Sequence, residues 1–157
     1  MIIMCIIILI VCAFIYYSAW KIKEIPSSIS ETYYSLGADG WMFQFVMIVV
    51  GIVLCPLWIN ISDEHYQPFA FLACSGLMFV GSAPSFRLPI QGFVHYSAAF
   101  VCCSCAVLWQ VLEGLWDITL LWCWLGGMAS IMWRDKWCFC IEIAVIGSLF
   151  SNLLILC

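Results

Sequence analysis

This sequence has little charge: Asp, Glu, Lys and Arg together make up 9% of its 157 residues, while 66% are apolar. Soluble globular domains are about a quarter charged and about half apolar, so this composition excludes a water-soluble domain. The nine Trp, eleven Phe and six Tyr exclude an intrinsically disordered chain, because disordered chains are poor in aromatic residues. Five Lys and Arg residues cannot form the basic surface that nucleic-acid binding needs, so no nucleic-acid partner is expected.

Long apolar runs fill most of the chain instead. A helix needs about 20 mainly apolar residues to cross the roughly 30 Å hydrocarbon core of a bilayer. Six runs approach that length, and they predict spans at residues 2–20, 41–59, 68–84, 92–112, 115–133 and 137–156. The predicted fold is therefore an all-α, polytopic membrane protein, a six-helix transmembrane bundle that forms a single transmembrane domain over residues 1–157.

The basic residues predict how this bundle is oriented. Connections between consecutive spans alternate between the two sides of a membrane, and short cytoplasmic connections are enriched in Lys and Arg. All five basic residues fall on one side, in the first, third and fifth connections: Lys21, Lys23, Arg87, Arg134 and Lys136. Both termini are therefore expected outside, in the inner (plasma) membrane. No basic residue precedes the first run, which is accordingly predicted to be a retained span rather than a cleaved signal.

Tryptophans mark the ends of the predicted spans. An indole ring prefers the region between acyl chains and headgroups, so rings near span ends are expected there. Seven of the nine tryptophans occupy such positions: Trp20, Trp41, Trp58, Trp109, Trp116, Trp133 and Trp137.

Only the first connection, residues 21–40, is long enough to hold structure of its own. Its residues 28–31 match a capping box, in which a serine oxygen accepts from the Glu31 amide and the glutamate carboxylate accepts from the serine amide. A short helix over residues 29–36 would follow and end at Gly37. Two interpretations stay open: the helix lies on the lipid headgroups, or it covers a cavity that opens on the inner side.

The eleven cysteines all lie inside or at the ends of predicted spans, where they are expected to act as small apolar residues and not as disulfide partners. No metal site is expected, because the two histidines, His65 and His95, fall on opposite sides of the membrane and cannot share an ion. No cofactor is predicted.

Polar residues inside membrane spans are costly and are therefore candidates for function. In this sequence they include Gln110, Asp117 and Glu142. The carboxylates of Asp117 and Glu142 lie close enough to span ends to reach the interface, and Glu142 has Arg134 and Lys136 nearby as partners.

The fourth span has one small and polar face. At 3.6 residues per turn, His95, Ala99, Cys102, Ala106 and Gln110 form a stripe along the helix. Such a stripe is typical of a face that turns toward the interior of a bundle.

Several polar residues are predicted to meet at the inner interface, and they form the candidate ligand-binding set: Glu31, Tyr33, Tyr34, Ser85, Arg87 and His95. An arginine and a histidine beside tyrosines suit a phosphate headgroup or another small anion. We therefore expect a non-enzymatic membrane protein that binds a lipid headgroup or small anion, with membrane lipids as partners. The alternatives are a small transporter or channel subunit, an intramembrane lipid-modifying enzyme that uses His95, and an accessory role in a homo-oligomer or with a membrane-protein partner.

Residues 28–34 (SISETYY), 79–84 (FVGSAP) and 94–96 (VHY) resemble segments of uncharacterised small membrane proteins from gut Bacteroidota and their phages. More distantly, the six-span layout with a proline-containing loop before His95 is similar to the Frag1/DRAM-type membrane proteins. The first resemblance implies that the outer face is the periplasm, and it implies no activity.

Overall fold

The computed structural model describes residues 1–86 and 90–157, and these residues are mostly helical. They form seven α-helices, which are α1 (Ile2–Ile22), α2 (Thr32–Ser35), α3 (Trp41–Ile61), α4 (Gln67–Ser82), α5 (Ile90–Leu112), α6 (Trp116–Met132) and α7 (Trp137–Leu156). Three short 3-10 turns adjoin these helices. One precedes α3 (Gly37–Asp39), one follows α4 (Ala83–Ser85) and one precedes α7 (Arg134–Lys136). The predicted all-α class is confirmed.

Five helical segments of the described part are long and apolar enough to cross a membrane: α1, α5, and α3, α4 and α7 taken together with their adjoining 3-10 turns, the α4 segment being Gln67–Ser85. This pattern fits an integral, multi-pass membrane protein. The predicted span at 115–133 corresponds to α6, whose 17 residues extend about 25 Å, less than the roughly 30 Å of a hydrocarbon core. The ends of the six predicted spans differ from the ends of the matching helices by at most two residues.

Successive long helices run in opposite directions, so their connections gather at two ends of the bundle. We call the end that holds connections 23–40, 83–86 and 133–136 the basic end, since Lys23, Arg134 and Lys136 lie there. Connections 62–66 and 113–115 lie at the opposite end.

Neighbouring helices approach one another closely at several small side chains. Gly76 of α4 faces the backbone of α5, and a Cβ atom added to it would lie 2.8 Å from the carbonyl oxygen of Ala98 and 2.9 Å from the backbone nitrogen of Cys102. A Cβ atom added to Gly126 of α6 would lie 2.5 Å from the Cβ of Ala144 in α7. In lipid, van der Waals contact between closely packed helices takes over much of the role of the hydrophobic effect. These contacts therefore fix the α4–α5 and α6–α7 pairs.

Two tryptophans that were expected at the interface are buried inside the protein. Trp58 and Trp109 are 1% and 0% exposed, and their ring centroids lie 5.1 Å apart in an edge-on arrangement. The Trp109 Nε1 donates to Ser62 Oγ at 2.8 Å, so its polar atom finds a partner within the bundle. The prediction is wrong for these two because a ring near a helix end can turn toward a neighbouring helix instead of lipid. The other five rings are exposed: Trp20, Trp41, Trp116, Trp133 and Trp137.

A buried polar cluster joins α5, α6 and α7 near the opposite end. It consists of Gln110, Thr119 and Asn152, each at most 3% exposed. The side-chain amide of Asn152 donates to Gln110 Oε1 at 2.8 Å and to Thr119 Oγ1 at 3.1 Å. Interhelical hydrogen bonds of this kind hold helices together in lipid, so the cluster anchors the α6–α7 pair to α5. Asp117, in contrast, is exposed in the first turn of α6.

Candidate functional site

An interior cavity of about 120 Å³ lies among α1, α3, α4, α5 and α7. Most of its wall is apolar and includes Phe43, Leu54 and Leu149. Two ionisable side chains, His95 and Glu142, also line it. Apolar walls with a small number of polar groups are typical of small-molecule sites, so this cavity is the candidate functional site.

Glu142 is held by the backbone of the first connection. The N–H of Ile29 donates to Glu142 Oε2 at 2.5 Å, which places the carboxylate at the boundary between the connection and α7. The sequence indicated Arg134 or Lys136 as partners for this carboxylate, but among the described residues neither forms an ion pair with it. The donor is a backbone N–H 113 positions away in the chain, and almost any residue type supplies such a group. No sequence pattern therefore indicates this contact.

A second hydrogen bond fastens the same connection to the start of α7. The N–H of Phe139 donates to the carbonyl oxygen of Ser27 at 2.9 Å. Phe139 is the third residue of α7, and the first amides of a helix have no partner within that helix. The connection therefore satisfies a donor that α7 would otherwise leave unpaired.

Glu31 gives the first connection its local shape. Its carboxylate accepts from the Oγ of Ser27 at 2.5 Å and from the N–H of Ser27 at 2.6 Å, and its own N–H donates to Ser28 Oγ at 3.1 Å. This is the expected capping arrangement, with the carboxylate bound one residue earlier in the chain. The helix that follows is α2, Thr32–Ser35, which is shorter than the predicted 29–36, and Gly37 adopts a φ of +60° soon after it.

The first connection covers the cavity at the basic end. Ile29 and Leu36 are 6% and 2% exposed, and the ring of Tyr33 packs edge-on against Phe43 with centroids 6.4 Å apart. Ile29 and Ser30 themselves line the cavity. Of the two interpretations left open by the sequence, this packing favours the cover over a helix that rests on headgroups.

The other predicted ligand-binding residues have separate partners. Tyr34 Oη accepts a hydrogen bond from Gln91 Nε2 at the start of α5, and Ser85 Oγ accepts one from Gln44 Nε2 at 3.0 Å. Arg87 lies outside the described residues. His95 is the member of the set that lines the cavity most directly, while Glu31, Tyr34 and Ser85 instead join elements of the basic end to one another.

The polar stripe on α5 faces the interior, as its periodicity indicated. His95, Ala99, Cys102 and Ala106 line the cavity, and Gln110 continues the stripe into the buried polar cluster. The cavity thus extends along much of α5 from the basic end toward the middle of the bundle.

An unpaired donor lies on the wall away from the basic end. Trp58 lines the cavity, and its Nε1 is buried with no hydrogen-bond partner among residues 1–86 and 90–157. A buried polar atom without a partner costs about 1–3 kcal/mol, so this indole lowers the stability of the fold by that order. The imidazole and carboxylate groups on the cavity wall are those of His95 and Glu142.

The described residues contain no group of three or more His, Cys, Asp or Glu side chains that could hold a metal ion. All eleven cysteines are free thiols, and Cys74, Cys102 and Cys103 form part of the cavity wall. They contribute small side chains that leave room in the cavity.

The first connection, which covers the cavity, is expected to become less ordered in acid. Hydrogen bonds from the Ser27 side chain and then from its backbone hold the pKa of Glu31 below its ordinary value of 4.5. A carboxylate with a lowered pKa in the folded state stabilises that state above its unfolded pKa, and the stabilisation is lost as the pH falls through the folded pKa. Hydrogen exchange of residues 27–36, corrected for intrinsic rates, should therefore accelerate below about pH 4.

Two glutamine variants separate this effect from general acid unfolding. Glu31→Gln should exchange rapidly in this segment at every pH and lose the acid step, because it removes the titrating group. Glu24→Gln, an exposed glutamate in the same connection, should keep the wild-type profile. An unchanged acid step in Glu31→Gln would assign the pH response to another group.

The fold defines the class of protein: an all-α protein with several helices apolar enough to span a membrane. No family model, curated protein or solved structure matches this chain.

Proposed function

We propose that this protein is a non-enzymatic, multi-pass protein of the inner membrane that binds an amphipathic, lipid-like molecule in its interior cavity. The observation that carries the proposal is the cavity itself, with His95 and Glu142 on an otherwise mainly apolar wall. The apolar part of the ligand lies along the wall, and its polar end faces these two side chains.

The proposed topology has six spans with both termini outside. The alternating direction of the long helices supports it, because it puts Lys23, Arg134 and Lys136 at one end of the bundle. The close α6–α7 contact supports α6 as a short sixth span, since a helix that packs along a spanning helix shares its depth in the membrane. In this topology the basic end is cytoplasmic.

The size of the cavity limits what it holds. A cavity of 150 Å³ lined by apolar side chains accepts a molecule as small as benzene, so about 120 Å³ takes one small apolar group or a short stretch of chain. The polar end of the ligand is a hydroxyl, amine or headgroup near the basic end. Glu142 Oε2 accepts from the Ile29 amide, and a carboxylate has further lone pairs that can accept from such a donor. A free anion is disfavoured by the carboxylates of Glu31 and Glu142 at the same end.

Native mass spectrometry of protein released from nanodiscs of its host lipids tests this function. The wild type should retain one defined molecule. Ala99→Phe, which fills the cavity from α5, should lose it. Glu142→Gln should lower its retention about tenfold or more, since hydrogen bonds to charged groups contribute about 1.5–3 kcal/mol.

The controls distinguish loss of the site from loss of the fold. Asp117→Asn removes a carboxylate at the exposed start of α6 and should retain the ligand like the wild type. His95→Ala should weaken retention, and each variant should show wild-type hydrogen exchange in α3 and α5. Retention of bulk lipid alone by the wild type, or of the defined molecule by a folded Ala99→Phe, would refute the proposal.

A further inference from the structure

A second site lies outside the interior cavity, in a groove between α6 and α7. The groove has a volume of about 510 Å³, within the roughly 300–1,000 Å³ typical of ligand pockets. Its floor and walls are mainly apolar and include Trp122, Ala129 and Ile143. Because it opens to the outside of the bundle, a lipid chain can enter it from the side in a membrane.

The small side chains at the contact between α6 and α7 give the groove its form. Gly126 and Ala144 both line it and bring the two helices close together. The indole of Trp122 is turned onto α7, where its Nε1 donates to Ser151 Oγ at 3.1 Å and its ring covers Gly147. The aromatic wall is therefore fixed by its own contacts before any ligand binds.

Charged groups line the groove at the basic end, where headgroups lie if α7 spans the membrane. They are Glu24, Asp135 and Lys136. Lys136 Nζ lies 3.9 Å from Asp135 Oδ2, and the Asp135 side chain is 78% exposed and free to accept from other donors. The rim thus presents one ammonium group together with two carboxylates. This pattern does not favour a purely anionic headgroup, because the carboxylates would repel it.

We propose that the α6–α7 groove binds a zwitterionic phospholipid with a primary amine, such as phosphatidylethanolamine. Its phosphate pairs with Lys136, and its ammonium group, two carbons away, pairs with Asp135 and Glu24. A primary ammonium donates up to three hydrogen bonds, whereas the quaternary ammonium of phosphatidylcholine donates none. One acyl chain lies along Trp122 and Ile143, and Trp133 contacts the glycerol region at the rim. This site is separate from the interior cavity and does not depend on its ligand.

Competition between defined lipids tests the proposal. The protein is placed in nanodiscs with equal amounts of phosphatidylethanolamine, phosphatidylcholine and phosphatidylglycerol, and the retained lipids are counted by native mass spectrometry. Phosphatidylethanolamine should be retained preferentially. Lys136→Ala should lower its occupancy about fivefold, since a basic residue near lipid phosphates contributes about 1 kcal/mol. Arg134→Ala is the matched control: it removes the same charge from the same connection, but Arg134 does not line the groove.

A second variant and a mapping experiment locate the bound lipid. Ala129→Phe fills the groove and should abolish preferential retention, while any ligand of the interior cavity remains. A phosphatidylethanolamine with a photoactivatable chain should label peptides within residues 122–144. Equal retention of phosphatidylcholine, stronger retention of phosphatidylglycerol, an equal loss in Arg134→Ala, or a dimer whose interface shields the groove from labelling would each overturn the proposal.

Discussion

Replacing Trp109 with alanine is expected to lower the free energy of unfolding by about 3 kcal/mol. Truncation of a buried tryptophan costs about 3–5 kcal/mol, and the lower figure applies here because the unfolded helices stay in lipid, which also solvates apolar groups. The side chain is 0% exposed, donates to Ser62 Oγ at 2.8 Å and packs edge-on against Trp58. Its loss leaves a void between α3 and α5. Steric trapping in bicelles measures the unfolding free energy directly.

Two further variants separate the void from the hydrogen bond. Trp109→Phe keeps most of the ring contacts and loses the donor, so it should cost about 1 kcal/mol. Trp124→Ala removes a ring that is 63% exposed on α6 and should change the free energy of unfolding by no more than about 0.5 kcal/mol. Equal effects of Trp109→Ala and Trp124→Ala would show that Trp109 is not part of the packed core.

Adding a single methyl group at Gly76 should also be strongly destabilising. The Cβ of Gly76→Ala would lie 2.8 Å from the Ala98 carbonyl oxygen and 2.9 Å from the Cys102 nitrogen. Both atoms belong to the α5 backbone, which cannot turn aside as a flexible side chain can. The α4 and α5 helices must therefore move apart, and overpacking of this kind costs about 1–3 kcal/mol. Unfolding by steric trapping and the melting temperature in detergent both report the change.

Gly127 is the matched control for this substitution. It lies in the interior of α6, and a Cβ added there meets nothing within 4 Å in the described structure. Because alanine is a better helix former than glycine, Gly127→Ala should be neutral or should stabilise the protein by up to about 1 kcal/mol. The two variants make the same chemical change, and only Gly76→Ala is expected to destabilise the protein. Destabilisation by both would indicate that glycine is needed for a reason other than close packing.

The helices could be predicted from the sequence because each long apolar run leaves the chain few alternatives in lipid. The limits of α7 agree with the predicted 137–156, and α1 runs two residues past its predicted end at residue 20. The inward face of α5 could be predicted as well, since the 3.6-residue period decides which side chains share a face. The predicted span at 115–133 is two residues longer than α6, and the apolar run alone does not decide whether a helix of 17 residues crosses the membrane.

The candidate site could be predicted only in part, because its decisive contacts join distant parts of the chain. His95 was found from its position on a small, polar stripe. For Glu142 the sequence indicated Arg134 and Lys136 as partners, whereas its partner in the structure is the backbone amide of Ile29, which any residue type except proline would supply. Trp58 was assigned to the interface because its sequence position fits both an interfacial ring and a buried one. The packing direction of a ring depends on its neighbours in space, which no local pattern shows.

The bond between Ile29 and Glu142 also sets an order of events during synthesis of the protein. The two residues are 113 positions apart, and a ribosome adds about 5–20 residues per second. The segment around Ile29 therefore waits on the order of ten seconds for its anchor to emerge. Until then, α1 and α3 have been synthesised, but the cavity beside them lacks the wall that α7 supplies. The first connection also lacks its anchor at Glu142. The first connection and α7 complete each other, so the site closes only after α7 has been synthesised.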